Sequence, residues 1–244
     1  MSFFNIFFEN RYDIIQLGDE MSKYYEAYDK RYKQIHDMGF SWSPDNNTRI
    51  VEEIIIKYHL EKVNILEIGC GEGRDARYLL SKNYNVLATD ISPEAINYCV
   101  EKDIVHKNNY KVLDVLSDNS QDKYGFIYSV ACLHMLVLDS DRNKFYKYIY
   151  EHLSGNGLSL ILTMGDGINE SSSDINKAFD NVKRVRQETK REIEVVETSC
   201  RIVNFDTLLK ETKNNNFEVL EYGITEIENH FDKIMYILIK KNTN

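Results

Sequence analysis

Asn64-Ile-Leu-Glu-Ile-Gly-Cys-Gly-Glu-Gly-Arg-Asp75 is the stretch on which the fold turns. A short apolar run reaches an acid, Glu67, and three glycines follow at alternate positions, Gly69, Gly71 and Gly73. A helical pattern begins at Arg74. A strand that breaks into a glycine turn and feeds a helix offers backbone N–H groups to a ligand, with the helix N-terminus behind them. Glycine suits such a turn because no Cβ blocks the approach and positive φ costs little. The spacing is E-x-G-x-G-x-G. A dinucleotide fingerprint wants its third glycine where this chain has Arg74, which disfavours an NAD-linked dehydrogenase.

Working outward, the chain repeats one plan. The helix Arg74–Ser81 carries Ala76, Leu79 and Leu80 on its apolar side. Asn85-Val-Leu-Ala-Thr-Asp90 is a second apolar run ending in an acid, followed by Ile91. Ser92-Pro93-Glu94 then opens a helix with a Ser cap, Pro at the first helical position and an acid in the first turn. Tyr110 to Val115 is a third unit and Tyr124 to Val130 a fourth, followed by Ala131-Cys-Leu-His-Met-Leu136. A helix from about Asp141 to Leu153 leads through Ser154-Gly-Asn-Gly157 into Leu158–Thr163. Apolar strands alternating with amphipathic helices predict a three-layer, doubly wound α/β fold around a mostly parallel sheet. Ligands of such sheets bind beyond the carboxyl ends of the strands. Glu67, Asp90, Asp114 and Ser129 all fall at or just past strand ends, so they are expected to line one crevice.

The C-terminal part changes pattern. Residues 165 to about 192 read as polar and helical, without a strand. Val195–Val203 reads as a strand, Phe205–Lys213 as a helix opened by Asn204 or Asp206, and 217–227 and 233–240 as two strands with a turn near Glu228–Asp232.

The net charge of −9 over 244 residues argues against a non-specific nucleic-acid binder, whose affinity depends on neutralising phosphates. Lys183, Arg184, Arg186, Lys190 and Arg191 cluster, and read as a solvated helix face. Cys70, Cys99, Cys132 and Cys200 lack metal-ligand spacing and disulfide-scaffold density, so they are expected to be reduced thiols of a cytoplasmic protein. The apolar start (Phe3, Phe4, Ile6, Phe7, Phe8) has no basic region before it, and Glu9 and Asn10 interrupt it; neither a signal peptide nor a membrane span is expected. It reads as a short amphipathic element for the body or for a second copy, so a homodimer is allowed.

The glycine turn resembles motif I of the class I S-adenosylmethionine (SAM)-dependent methyltransferases. Gly69-Cys-Gly-Glu-Gly-Arg74, Asp90-Ile-Ser-Pro-Glu-Ala95 and Leu133-His134 after the fourth strand look like the small single-domain members, including the tellurite-resistance type. The resemblance covers residues 50–165 well and the C-terminal sheet loosely. It implies a seven-stranded sheet with one antiparallel C-terminal strand in a domain spanning 49–244, an inserted cap at 165–193, and a helical, aromatic lid segment at 1–48.

The same resemblance implies SAM as cofactor and S-adenosylhomocysteine as product. Gly69, Cys70, Gly71 and Gly73 would cradle the methionine end, with Glu67 near its amino group. Arg74 would reach its carboxylate or else pair with Glu72 or Asp75. Asp90, with Ile91, would take the ribose; Asp114 and the Val115 N–H would take the adenine; Ser129 would offer its carbonyl to the amino group. His134 is the candidate proton acceptor, with a structural role as its alternative. Tyr24, Tyr28 and Tyr32 stand at i, i+4 spacing ahead of Trp42, and either close over the sulfonium or simply pack. His36, Asp166 and Arg201 are further pocket candidates, and Cys132 reads as a small buried hydrophobe. No metal is expected. The chain lacks the Asn/Asp-Pro-Pro-Tyr of base amino-methylation and the prolyl-cysteine of C5-cytosine chemistry. A small-molecule acceptor is therefore the expected partner, ahead of a protein or RNA substrate or a non-catalytic SAM-binding regulator.

Overall fold

The computed structural model describes residues 23–42, 46–185, 191–228 and 231–242. The apolar stretch 3–8 and the basic residues Arg186 and Lys190 lie outside them, as does most of the expected lid. Among the described residues no helix is long and apolar enough to cross a membrane.

A 3₁₀ turn, Tyr24–Glu26, enters helix α1 (Ala27–Asp37), and α2 (Arg49–Lys57) precedes the sheet. The central units follow as β1 (Ile65–Ile68), α3 (Arg74–Ser81), β2 (Val86–Asp90), α4 (Pro93–Lys102), β3 (Tyr110–Val112), β4 (Tyr124–Val130), α5 (Asp139–His152) and β5 (Leu153–Thr163). The expected Ser cap is present: Ser92 Oγ accepts from Ala95 N at 3.0 Å, with Pro93 opening α4. β5 starts earlier than the sequence suggested, because Ser154 to Gly157 run on as strand after a shift in the β4–β5 register between Tyr124 and Phe126.

After β5 come β6 (Ser171–Ser172), β7 (Asn181–Val185), β8 (Glu192–Val196), β9 (Arg201–Ile202), α6 (Phe205–Asn214), β10 (Phe217–Ile227) and β11 (Phe231–Lys241). Among the described residues of 165–192 the expected helix is absent. β7 and β8 form an antiparallel ribbon instead, with Val182 opposite Val195 and Lys183 opposite Glu194. Lys183 and Arg184 thus sit on a strand. The deciding signal is the alternation in Glu192-Ile-Glu-Val-Val196, a period of two rather than 3.6. The strand expected over 195–203 is likewise split between β8 and β9.

The seven-stranded sheet runs β3-β2-β1-β4-β5-β11-β10. β1 lies parallel to β2 and β4, and β4 to β5, while β11 runs antiparallel to both β5 and β10. The seven strands and the single reversed one match the expectation. Because β1 is central, its residues alternate between two buried faces. Ile65 packs with Ile55 of α2, Leu79 of α3 and Cys99 of α4. Leu66 and Ile68 pack with Phe145 and Ile149 of α5 and Leu208 of α6. These are the three layers.

Helix α1 is docked by polar contacts. Asp29 Oδ1 accepts from Ser92 Oγ at 2.6 Å and from Glu94 N at 3.1 Å, adding a second acceptor to the α4 N-terminus. His36 stands between Glu94 Oε1 and Glu72 Oε1, each 2.9 Å away, and stacks on Tyr98. On its other side Tyr28 donates to Ser199 O at 2.7 Å and Arg31 Nε to Val196 O at 2.6 Å. The inserted ribbon is thereby strapped to α1.

Candidate active site

The glycine turn is fixed by its own backbone. Gly69 N and Cys70 N donate to Thr89 O at 2.8 and 2.9 Å, and Gly73 N donates to Cys70 O at 2.9 Å. Gly73 has φ +71°, and a Cβ there would stand 2.7 Å from Cys99 Sγ. Gly73→Ala is therefore expected to lower stability by about 1–3 kcal/mol in thermal or denaturant unfolding. Gly155→Ala, with open space around the added carbon, serves as the near-neutral control.

A cavity opens over this turn at the carboxyl ends of β1, β2 and β4. Glu67, Gly69, Cys70, Gly71 and Arg74 line its floor. Asp90 and Ile91 line one wall, with Asp114 and Val115 beyond them, and Tyr32 closes it from α1. Sequence reasoning grouped these residues and the structure brings them together.

Four expected residues do not line it. Gly73 sits behind the turn. Ser129 is buried within β4. His134 is buried in the 3₁₀ turn Leu133–Met135. Tyr24 donates to Asp141 Oδ2 at 2.9 Å and accepts from Val137 N at 3.0 Å, tying its turn to α5. Three of the four polar strand-end residues thus line the crevice; Ser129 lies on the α5 face of the sheet alongside Ile127 and Ile161, and the end of β4 contributes Val130, Ala131 and Cys132 instead. His36, Asp166 and Arg201 do not line it either: His36 docks α1, Asp166 accepts from Ile168 N and Asn169 N in its own loop, and Arg201 pairs with Asp139. Tyr25, Met135, Leu136 and Phe145 line the cavity and were not singled out; Asp75, expected as a partner of Arg74 and paired with it, lines it too. Tyr25 sat inside the flagged aromatic run, and Met135-Leu136 directly follow the flagged Leu133-His134. Phe145 carried no signal beyond its place on a helix.

Each charged group has a definite setting. Asp90 accepts from Gly71 N at 2.8 Å and from Ser92 N at 2.9 Å, and burial pushes its carboxyl above the usual range. Asp114 accepts from Lys23 Nζ at 2.6 Å and Leu116 N at 2.9 Å; partial burial raises its carboxyl, but these bonds win and hold it low. Arg74 is only 9% exposed. Its Nη2 donates to Thr48 Oγ1 at 2.9 Å and Asp75 Oδ2 at 3.1 Å, whereas Nε and Nη1 are buried with no partner in the protein. An unpartnered buried donor costs about 1–3 kcal/mol, more when charged, so an acceptor placed beside these two groups would be favoured. Among the described residues no cluster of three His, Cys, Asp or Glu could hold a metal ion.

Residues 66–159, which supply the cavity's lining apart from Tyr25, Tyr28, Tyr32 and Trp42, match the methyltransferase domain family. Superposed on solved structures, the chain resembles the 1,6-didemethyltoxoflavin-N1-methyltransferase of Burkholderia thailandensis, solved with 1,6-didemethyltoxoflavin and S-adenosylhomocysteine. That match has a TM-score of 0.67 at 14% identity over 89% of this chain and 88% of that one. The fold is that of the class I methyltransferases.

A SAM-dependent methyltransferase of Methanosarcina mazei aligns with a TM-score of 0.60 at 21% identity over 77% of this chain and 96% of that one. Among curated sequences, the ubiquinone biosynthesis O-methyltransferase of Rickettsia akari is 28% identical over 47% of this chain and 46% of that protein. Malonyl-[acyl-carrier protein] O-methyltransferase 1 of Ilyobacter polytropus is 26% identical over 76% of this chain and 64% of that protein. The chain thus spans between about half and just under two thirds of these two curated relatives.

In this methyltransferase fold Glu67 has an unusual state. Burial, helped by Asp75, pushes its carboxyl from 4.5 to about 8. A carboxyl raised on folding binds its proton more tightly in the native state, so it adds stability below its unfolded value and loses it as pH rises through the folded one. The ligand-free protein is therefore expected to lose stability between about pH 4.5 and 8. Glu67→Gln should flatten that slope in urea unfolding at several pH values; an unchanged slope would assign it to other groups.

Proposed function

We propose that this chain is a SAM-dependent methyltransferase acting on a small molecule. The observation that carries the reading is Arg74, with two buried guanidinium N–H groups left without a partner directly over a glycine turn. A carboxylate suits them, since charge-assisted bonds to a planar guanidinium are strong and directional. The methionine end of SAM carries one. Glu67 and the turn would then face its amino group, Asp90 the ribose hydroxyls, and Asp114 with Val115 N–H the adenine. Bound there, SAM supplies an electrophilic methyl on a sulfonium. The chain's own residues orient it and exclude water, which is how alignment and desolvation accelerate such a transfer.

The chain's motifs support the small single-domain type, including the tellurite-resistance enzymes. Helix α1 and the β7–β8 ribbon act in this reading as a cap over the acceptor side. The net charge of −9 supports a small acceptor over RNA, whose binding depends on neutralising phosphates.

Calorimetric titration of SAM and of NAD into the purified protein tests this. SAM binding without NAD binding is expected. Arg74→Met should weaken SAM by on the order of tenfold to a hundredfold, the worth of one or two charged hydrogen bonds; it also strips buried Asp75 of its ion-pair partner, so the titration is made well below the variant's own melting temperature. A folded protein that binds no SAM would sink the proposal.

A further inference from the structure

The segment that enters α1 crosses one end of the cavity. Glu26 N donates to Lys23 O at 2.7 Å, which closes residues 23–26 into a single turn. Tyr25 of that turn lines the cavity. It packs in one cluster with Leu113 and Leu116 from beyond β3 and with Leu136 and Phe145 from the α5 side.

The turn is pinned on both flanks. On the β3 flank Lys23 Nζ donates to Asp114 Oδ2 at 2.6 Å, and the Tyr25 hydroxyl reaches the same oxygen at 3.5 Å. On the α5 flank the Tyr24 hydroxyl donates to Asp141 Oδ2 at 2.9 Å and accepts from Val137 N at 3.0 Å. The Tyr24 and Tyr25 rings meet edge to face with centres 5.2 Å apart, so the α5 pin and the residue facing the cavity are in direct contact.

The two sides of the cavity are held with unequal strength. At the other end α1 is set by buried groups: Tyr28 and Arg31, 8% and 2% exposed, grip the carbonyl oxygens of Ser199 and Val196. The Lys23 side chain is 45% exposed. Water and salt screen such an ion pair, so it holds weakly. A segment held by few buried contacts opens locally at the least cost, which places the easiest opening of the cavity at this turn. The pin to Asp114 is also compatible with a ligand. Oδ2 takes Lys23 and Ser117 Oγ, the latter at 3.0 Å, while Oδ1 takes Leu116 N at 2.9 Å. A carboxylate oxygen accepts two bonds, so Oδ1 has an acceptor position left for a nucleoside base while Lys23 stays in place.

We propose that residues 23–26 are a strap that closes the nucleoside end of the site in both the empty and the loaded protein, and that the cofactor enters and leaves there when Lys23 lets go of Asp114 and Tyr24 of α5. The proposal rests on the SAM reading above and adds to it the gate for cofactor exchange. No bond to the ligand is assigned to Lys23 or Tyr24; both act by holding the turn.

The rates of cofactor exchange test it, measured on the full chain with labelled S-adenosylhomocysteine: association on mixing, and release into excess unlabelled ligand. Lys23→Met and Tyr24→Phe are each expected to raise both rates by roughly threefold to tenfold, the effect of losing one partly exposed ion pair or hydrogen bond. The dissociation constant, being their ratio, should move less than either rate. A residue that merely contacts the ligand or shapes its site would raise release and leave association unchanged; that result in either variant, or no change in either rate, overturns the proposal. Added salt should speed exchange in the parent and in Tyr24→Phe more than in Lys23→Met, because it screens the Lys23–Asp114 pair; an equal response in all three overturns the Lys23 pin. A parent protein that binds no S-adenosylhomocysteine overturns the cofactor reading instead, so the two failures are told apart.

Discussion

Asp90→Ala is expected to abolish SAM binding in calorimetry and to lower the stability of the ligand-free protein as well. In the proposed reading the carboxylate serves the ligand side as well as the protein side. It accepts from Gly71 N and Ser92 N, joining the glycine turn to the first turn of α4. Removing it strands two buried N–H groups at about 1–3 kcal/mol each. Asp90→Asn separates the two effects. An amide oxygen keeps one of the backbone bonds, so this variant should fold. It should still lose on the order of a hundredfold or more in SAM affinity, because it no longer offers two charged acceptors to a ribose diol. A folded Asn variant that binds SAM as tightly as the parent would remove Asp90 from the ligand site.

The second large effect is expected from Arg142→Met. Arg142 is 1% exposed. Its Nε and Nη2 meet both oxygens of Glu211 at 2.8 and 2.7 Å, and its Nη1 donates to Leu133 O at 2.9 Å and Leu136 O at 3.3 Å. One guanidinium thus ties α5 to α6 and to the turn after β4. Breaking a buried ion pair from one side typically costs about 3–5 kcal/mol, since the partner is left uncompensated. In a chain of this size that lowers the melting temperature by about 10 °C. Met135 and Leu136 line the cavity from that turn, so acceptor binding should weaken in the surviving folded fraction. Glu211→Gln, which leaves a neutral acceptor, should cost clearly less. Equal losses from the two variants would mean that packing, not the ion pair, sets the effect.

Much of this was legible in the sequence because strand, turn and helix signals lay close together. The β1 turn, the α4 cap and the acids Asp90 and Asp114 are local features, and each fell within a few residues of its expected place. The reversed strand β11 followed from the family resemblance. What failed was non-local. β7 and β8 find their hydrogen bonds in each other, across a segment with no strong turn signature, so a window of charged residues read as helix. His134 was picked from its position after a strand, yet its burial depends on how Leu133 and Leu136 are gripped by Arg142 on another helix. Tyr28 and Trp42 could be named as aromatic, but only the docking of α1 through Asp29 and His36 turns them toward the cavity.

The strap between α1 and the ribbon has one property that bears on how such a protein changes over time. Tyr28 and Arg31 grip the carbonyl oxygens of Ser199 and Val196, not side chains. Every amino acid carries that oxygen, so the ribbon can exchange its residues freely while the grip persists. Selection could then reshape the mouth of the cavity substitution by substitution, without first having to rebuild the joint that holds it in place.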